Sequence, residues 1–398
     1  MAAGIAPLIA AMPAAAQQLV VTPLVDARLR YETVTQDGIA QKADAVTIRV
    51  RSGAQVAVGP WSALVEAQGN LALDPRYFDG LDGNVTRPLV SDPQDIALYR
   101  AQVQYRTATV GLTAGRQRIA FDDDRFVGAG NFRQNGQTFD AVRGEWTIAA
   151  GLKADLSYVW GVRTIWGVDG IGARPRSIGG DTVLAHVSYP TRFGTATGFA
   201  YLVDQDELAV QGFRLSSQTY GARFAGTHRF TPDIALSYAA SYARQSDYRQ
   251  NPNRYSASYA LIDATLELAA IKAGGGYEVL GADRGVAFAS FQTPLASVFK
   301  FQGWANKFLT TPPDGVRDAY ASAGYGWKAI GPLKAVSVQA IYHRFDSDRL
   351  VRHYGNEIDL LASAKLHKTT VSARYADYRA DGFAIDTRKL WLQFDWAI

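Results

Sequence analysis

The sequence predicts an all-β fold: a transmembrane antiparallel β-barrel of about 18 strands, with short periplasmic turns and long extracellular loops. Three observations carry that prediction. Apolar and polar residues alternate with a period of two in segment after segment, the mark of a strand with one greasy and one wet face. The segments run about 10–13 residues, near the roughly 9–11 that cross a bilayer and about twice an ordinary strand. The connections between them alternate short and long, the asymmetry of outer-membrane barrels.

The elements can be justified in chain order. In the first strand Val25, Ala27, Leu29 and Tyr31 oppose Asp26, Arg28, Arg30 and Glu32. In the next, Val46, Ile48 and Val50 oppose Thr47, Arg49 and Arg51. Ala97, Tyr99, Ala101, Val103 and Tyr105 then oppose Arg100, Gln102, Gln104 and Arg106. Leu152, Ala154, Leu156, Tyr158 and Trp160 oppose Lys153, Asp155 and Ser157. Ile234, Leu236, Tyr238, Ala240 and Tyr242 oppose Ser237 and Ser241. Ile358 to Leu366 alternate with Glu357, Asp359, Ser363, Lys365 and His367. Leu390, Leu392, Phe394, Trp396 and Ile398 oppose Trp391, Gln393 and Asp395. Tyr and Trp recur at the ends of these apolar rows, where interfacial girdles sit.

Short turns fall near 107–109, 149–150, 191–194, 231–233, 269–270, 330–333 and 368. Long connections fall near 33–43, 71–94, 119–136, 163–180, 204–215, 245–255, 280–316, 346–354 and 379–386. The strands number about 18, with both ends of the chain on the short-turn side. One barrel over 17–398 accounts for the chain, with no linker and no second domain.

Composition agrees. The mean hydropathy is −0.10, and no apolar run reaches the roughly 20 residues of a membrane helix. A barrel escapes that test because its alternation averages out. There are 20 Tyr, 18 Phe and 8 Trp, and no Cys that could form disulfides or thiolate metal sites. Only ten of the 41 basic residues are Lys, and Arg presents a flat fork suited to carboxylate and phosphate. Residues 1–16, MAAGIAPLIAAMPAAA, read as the remnant of a secretory signal ending in small residues.

A barrel of 18 strands is too wide for side chains to fill, so its lumen holds water unless loops plug it. The alternation turns Arg28, Arg30, Arg49, Arg51, Arg100, Arg106, Glu32, Glu66, Asp26 and Asp155 inward, and puts Arg116 and Arg118 at the mouth. Paired across strands these charges only solvate the lumen; unpaired, they form a positive lining that concentrates anions.

The stretch 115–141, GRQRIAFDDDRFVGAGNFRQNGQTFDA, sets Arg116, Arg118, Arg125 and Arg133 against Asp122, Asp123, Asp124 and Asp140. It lacks the spacing and closing Glu of a calcium loop. A charge network at the mouth or folded into it, acting as gate or constriction, is the reading it supports.

That stretch resembles the alginate export family, outer-membrane barrels that secrete an acidic polysaccharide. So does 291–315, FQTPLASVFKFQGWANKFLTTPPDG, with its TPLA, GWA and FL-TP elements. The resemblance implies an Arg-rich, anion-selective lumen gated by loops. It implies Arg116, Arg118, Arg125, Arg133, Asp122, Asp123 and Asp124 at the constriction. It also implies Trp304, Asn306 and Lys307 on a loop dipping toward the pore. The family usually carries an acid after GWA, where this chain has Asn306.

The function expected is therefore an outer-membrane channel in a Gram-negative envelope, passing anionic solutes or an alginate-like polysaccharide. The alternative is passive uptake of small anions or nutrients. Expected partners are outer-membrane lipid and lipopolysaccharide, the anionic cargo and periplasmic export proteins, with no nucleic acid, metal or cofactor. An enzyme is not expected: the five His residues stand in no H-E-x-x-H pattern, and G-x-S-x-G is missing.

Overall fold

The computed structural model describes residues 18–82 and 84–397. The leader expected over 1–16, and Ile398, lie outside the described residues. The first third of the wall is β1 (Val20–Gln36), β2 (Ala43–Val58), β3 (Trp61–Arg76), β4 (Asp95–Arg106), β5 (Val110–Gln117) and β6 (Thr138–Thr147). The second is β7 (Lys153–Arg163), β8 (Ser177–Thr191), β9 (Gly194–Val203), β10 (Ser217–Thr231), β11 (Ile234–Asp247) and β12 (Ser256–Leu268). The last is β13 (Ile271–Leu280), β14 (Val316–Ile330), β15 (Leu333–Asp346), β16 (His353–Leu366), β17 (Thr369–Ala380) and β18 (Thr387–Ala397).

Each strand pairs antiparallel with the next, and β18 pairs back onto β1, from Asp26↔Ala397 to Gln36↔Thr387. The ring of 18 strands is closed. Closure satisfies every ladder and leaves no edge, which is the condition for a sheet to cross lipid.

Connections at one end are two to five residues long; those at the other run from six to 35. A short turn at Gly59-Pro60 joins those anticipated from the sequence. Strand lengths depart from the expected 10–13, ranging from 8 in β5 to 17 in β1. β5 is short because the chain leaves the wall after Gln117; within it, Gly115 adopts φ 111°. An added Cβ there would lie 2.3 Å from the Ala101 carbonyl oxygen, so the position requires glycine.

The outer face is apolar: Val50, Val142, Trp160, Tyr242, Ile358 and Phe394 are all exposed. At the short-turn end Trp61, Tyr105, Trp146, Tyr189, Trp327 and Trp396 form a girdle, with the Trp61 and Tyr105 rings 4.9 Å apart. One row differs from the alternation read in the sequence. The β3–β4 register slips from Glu66↔Arg100 to Ala67↔Leu98. The bulge turns Tyr99 and Arg100 both inward, so Ala97 and Tyr99 leave the outer row and Ile96 and Leu98 replace them.

The buried apolar core lies inside the barrel rather than between layers. It forms where connections 118–137 and 281–315 fold into the lumen: Phe121, Val127, Phe291, Leu295, Phe299 and Trp304 are among its members. Val127 and Leu295 pair as a parallel bridge, and Ser297 N–H donates to the Asp124 carbonyl at 3.0 Å. The two loops therefore fold as one unit across the interior.

Candidate functional site

Loop 118–137 holds its course through charged side chains that reach separate parts of the wall. Asp122 and Asp124 take left-handed backbone angles, φ 50° and 68°, which Asp tolerates better than most residues. His186 Nε2 of β8 lies 3.2 Å from Asp122. Asp123 meets Arg223 of β10 at 3.0 Å, and Asp124 meets Lys300 of the second loop at 3.1 Å. Arg125 is buried and donates to Glu278 of β13 at 2.6 Å, with the Phe301 ring 4.6 Å away. Arg133 donates to Glu32 of β1 at 3.1 Å and to Asn306 at 3.0 Å. The four Arg and four Asp expected to pair with one another thus mostly do not; they staple the loop to β1, β8, β10, β13 and the second loop.

The inward rows of β1 and β2 carry a file of arginines beside this loop. Arg28 donates to Asp395 at 2.6 Å and to the Phe132 carbonyl at 2.9 Å. Arg30 is fully buried between Asp92, 3.1 Å away, Gln393 and the Phe132 carbonyl. Arg49 pairs with Asp26, yet its Nε and Nη1 have no hydrogen-bond partner among the described residues. Arg51 donates to Gln68 at 2.7 Å and stacks 3.8 Å above the Tyr99 ring. Glu66 and Arg100 neutralise each other at 2.6 Å, as do Arg106 and Glu145.

Arg116 is a correction. It stands opposite Ala101 and Asp140, which continue the outer rows of Val103 and Val142. It therefore faces outward, bound to Asp140 at 2.7 Å, where Arg163 joins it at 3.2 Å. The reason is the alternation itself, which carries Arg116 on the row of the outward Leu112 and Ala114. Arg118 is exposed and has no ion pair among the described residues.

The second loop rests on two acids of β16. Trp304 N–H donates to Asp359 at 3.1 Å and Ala305 N–H to Glu357 at 2.6 Å. Both acids are buried, with His343 bridging Asp318 at 3.0 Å and Asp359 at 3.7 Å. Gly303 makes this approach feasible: at φ 76°, an added Cβ would lie 2.4 Å from a Glu357 oxygen. Gly303→Ala should weaken the loop's hold by about 1–3 kcal/mol, seen as faster proteolysis of 281–315 while the barrel's heat stability is unchanged.

Lys307 follows, and burial pushes its ammonium down to about 8 against the opposing pull of Glu357 and Asp386. The released loop regains the ordinary value, so between about pH 8 and 10.5 it binds more protons than the folded one. The folded loop should gain stability as pH rises through that window. Lys307→Met should abolish the gain, read from protection of the loop's amides against hydrogen exchange at pH 7 and pH 9.

Between the loops lies a cavity of about 880 Å³. Its lining joins outer-loop residues such as Trp166 and Leu215 to inward residues of β15–β18, including Ile341, Leu361, Arg374 and Gln393. Arg28, Arg133, Lys300 and Arg374 supply its positive charge; Phe132, Phe299 and Trp304 supply aromatic faces. Arg374 sits 4.9 Å from the Trp304 ring and has no ion pair among the described residues. Sequence reasoning did not single out Arg374, although it falls on an inward row with Ser372 and Ala376. It also missed Asp92, fully buried, which bonds Arg30 and the Gln134 N–H from a loop that no period could reach. Among the described residues no group of three or more His, Asp and Glu could hold a metal ion.

A closed 18-strand ring with greasy exterior and two loops crossing a basic lumen defines an outer-membrane channel of the porin class. The alginate export family matches residues 25–246, and the chain belongs to it. Solved outer-membrane porins share the fold. OpdO of Pseudomonas aeruginosa is 16% identical, with 95% of this chain and 97% of that one covered at a TM-score of 0.67. OccAB4 of Acinetobacter baumannii is 14% identical over 97% and 100%, TM-score 0.70. OpdK of Pseudomonas aeruginosa, solved with vanillate, is 12% identical over 94% and 98%, TM-score 0.71. No curated protein sequence matches the chain significantly.

Proposed function

We propose that the chain is a passive channel for small organic anions, which cross the outer membrane between the two infolded loops. The cavity carries this reading. Its lining sets Arg28, Arg133 and Arg374 among Phe132, Phe299, Ile341 and Leu361, with Arg374 and Arg133 each 5.6 Å from the Phe132 ring. Fixed cations attract the charge of a carboxylate, while the apolar faces beside them accommodate a hydrocarbon or aromatic body. The vanillate in OpdK is a molecule of that kind, on the same fold. Arg118, Asp122, Asp123, Asp124, Arg125 and Asn306 serve in this reading as loop supports and mouth charge.

Export of an acidic polysaccharide is the second reading, favoured by the family match over 25–246. A uronate chain has the charge for the arginine file and little to offer the apolar faces. Planar-bilayer reversal potentials in a salt gradient test the first claim, with anion preference expected. Competition then separates the readings: an aromatic monocarboxylate should reduce chloride current at lower concentration than a uronate trimer. Cation preference would sink both, and stronger block by the trimer would favour export.

A further inference from the structure

A cluster of lysines stands apart from the arginine file on β1 and β2. The file beside the loops is Arg, whereas Lys328, Lys334, Lys365 and Lys368 gather where β14–β17 meet their short turns. All four are exposed, and none has an ion pair or hydrogen bond among the described residues. Lys334 stands directly opposite Lys365 in the β15–β16 ladder. Such neighbours have Cβ atoms roughly 5 Å apart, and like charges placed there are destabilising.

Lys365 continues the inward row of Glu357, Asp359 and Leu361, and Lys328 that of Asp318 and Tyr320. The acids at this end of the flanking strands are already engaged. Glu267 holds Lys272 at 2.5 Å, and Asp395 holds Arg28 at 2.6 Å. The patch therefore carries uncompensated positive charge at one mouth of the channel.

We propose that Lys328, Lys334, Lys365 and Lys368 form a second anion-binding station at the periplasmic mouth, taking small oxyanions of the phosphate or carboxylate kind. The inference rests on the reading of the chain as an anion channel. It adds a direction: charge fixed at one mouth raises the local anion concentration there alone. The effect extends one Debye length, about 10 Å at 0.1 M salt and about 3 Å at 1 M. Lysine suits a station that must release its anion, because a mobile, strongly hydrated ammonium holds oxyanions less rigidly than a guanidinium fork.

Oriented single channels test it, with inorganic phosphate as probe. At about 0.1 M salt the wild-type channel should pass roughly twice the current at one polarity as at the other, becoming symmetric at 1 M. Phosphate should reduce current at severalfold lower concentration from the short-turn side. Replacing all four lysines by Gln should make current and block symmetric while leaving the anion preference in place; replacing them by Arg should preserve the asymmetry. Unchanged asymmetry in the Gln variant, with anion preference intact, overturns the station alone. A wild-type channel without anion preference fails the channel reading, and the station with it.

Discussion

Arg125→Ala should release loop 118–137 from β13 and raise single-channel conductance several-fold. The guanidinium is 2% exposed and Glu278 is 4% exposed, 2.6 Å apart. Removing the cation leaves a buried carboxylate facing only Gln302 and the Tyr259 hydroxyl. Breaking a buried pair from one side costs about 3–5 kcal/mol, or roughly two to nearly four powers of ten in the ratio of seated to released loop. The barrel itself should survive, because its ladders do not pass through Arg125. Burial alone would lower the Arg125 guanidinium, but the charge of Glu278 and its hydrogen bond prevail and hold it above its ordinary value. It stays ionised across accessible pH, so any pH dependence of the variant comes from the orphaned Glu278 carboxylate, whose protonation in acid should lessen the loop's release. Arg125→Met with Glu278→Met should recover much of the wild-type conductance, since a buried pair replaced by apolar groups is often neutral. Wild-type conductance in Arg125→Ala would show that the loop does not obstruct the lumen.

The wall was legible because a single number, the period of two, governs it. Val50 and Phe394 on one face and Arg30 and Arg49 on the other need no tertiary information to be sorted. Reading failed where one residue breaks the period. Tyr99 sits at the β3–β4 bulge, and one extra residue reverses every assignment beyond it; Arg116, by contrast, keeps the period, on the outward row of Leu112 and Ala114. The loops were legible in a weaker sense. Their charge marked 115–141 as important, but which wall residue each Arg would meet depends on folding 20 residues through space. Glu278, Glu357 and Asp92 lie 153, 52 and 42 positions from the Arg125, Ala305 and Gln134 groups they hold. No local pattern encodes such separations.

Arg374→Glu should move the channel from anion toward cation preference, more than any other single arginine change considered above. The reason is that Arg374 has no direct ion pair among the described residues, Asp359 and Asp395 acting on it only from a distance. Arg28 is held by Asp395 at 2.6 Å and Arg49 by Asp26, so a Glu placed there would lie against an existing acid and tend to share a proton with it, which blunts the charge reversal. Arg374 presents an unpaired charge to the cavity between Gln393 and Leu361. In a wet lumen, reversing a charge some 6–8 Å from the ion path changes an ion's energy by roughly 1–2 kcal/mol, about five- to thirtyfold in relative permeability. Salt should blunt the shift, as it does for any partly exposed charge. Arg116→Glu supplies the contrast: on the outer face, beside Asp140, it should leave the reversal potential where it was. If Arg116→Glu shifted selectivity and Arg374→Glu did not, the inward and outward rows of β5 and β17 would have to be exchanged, and the cavity would no longer mark the ion path.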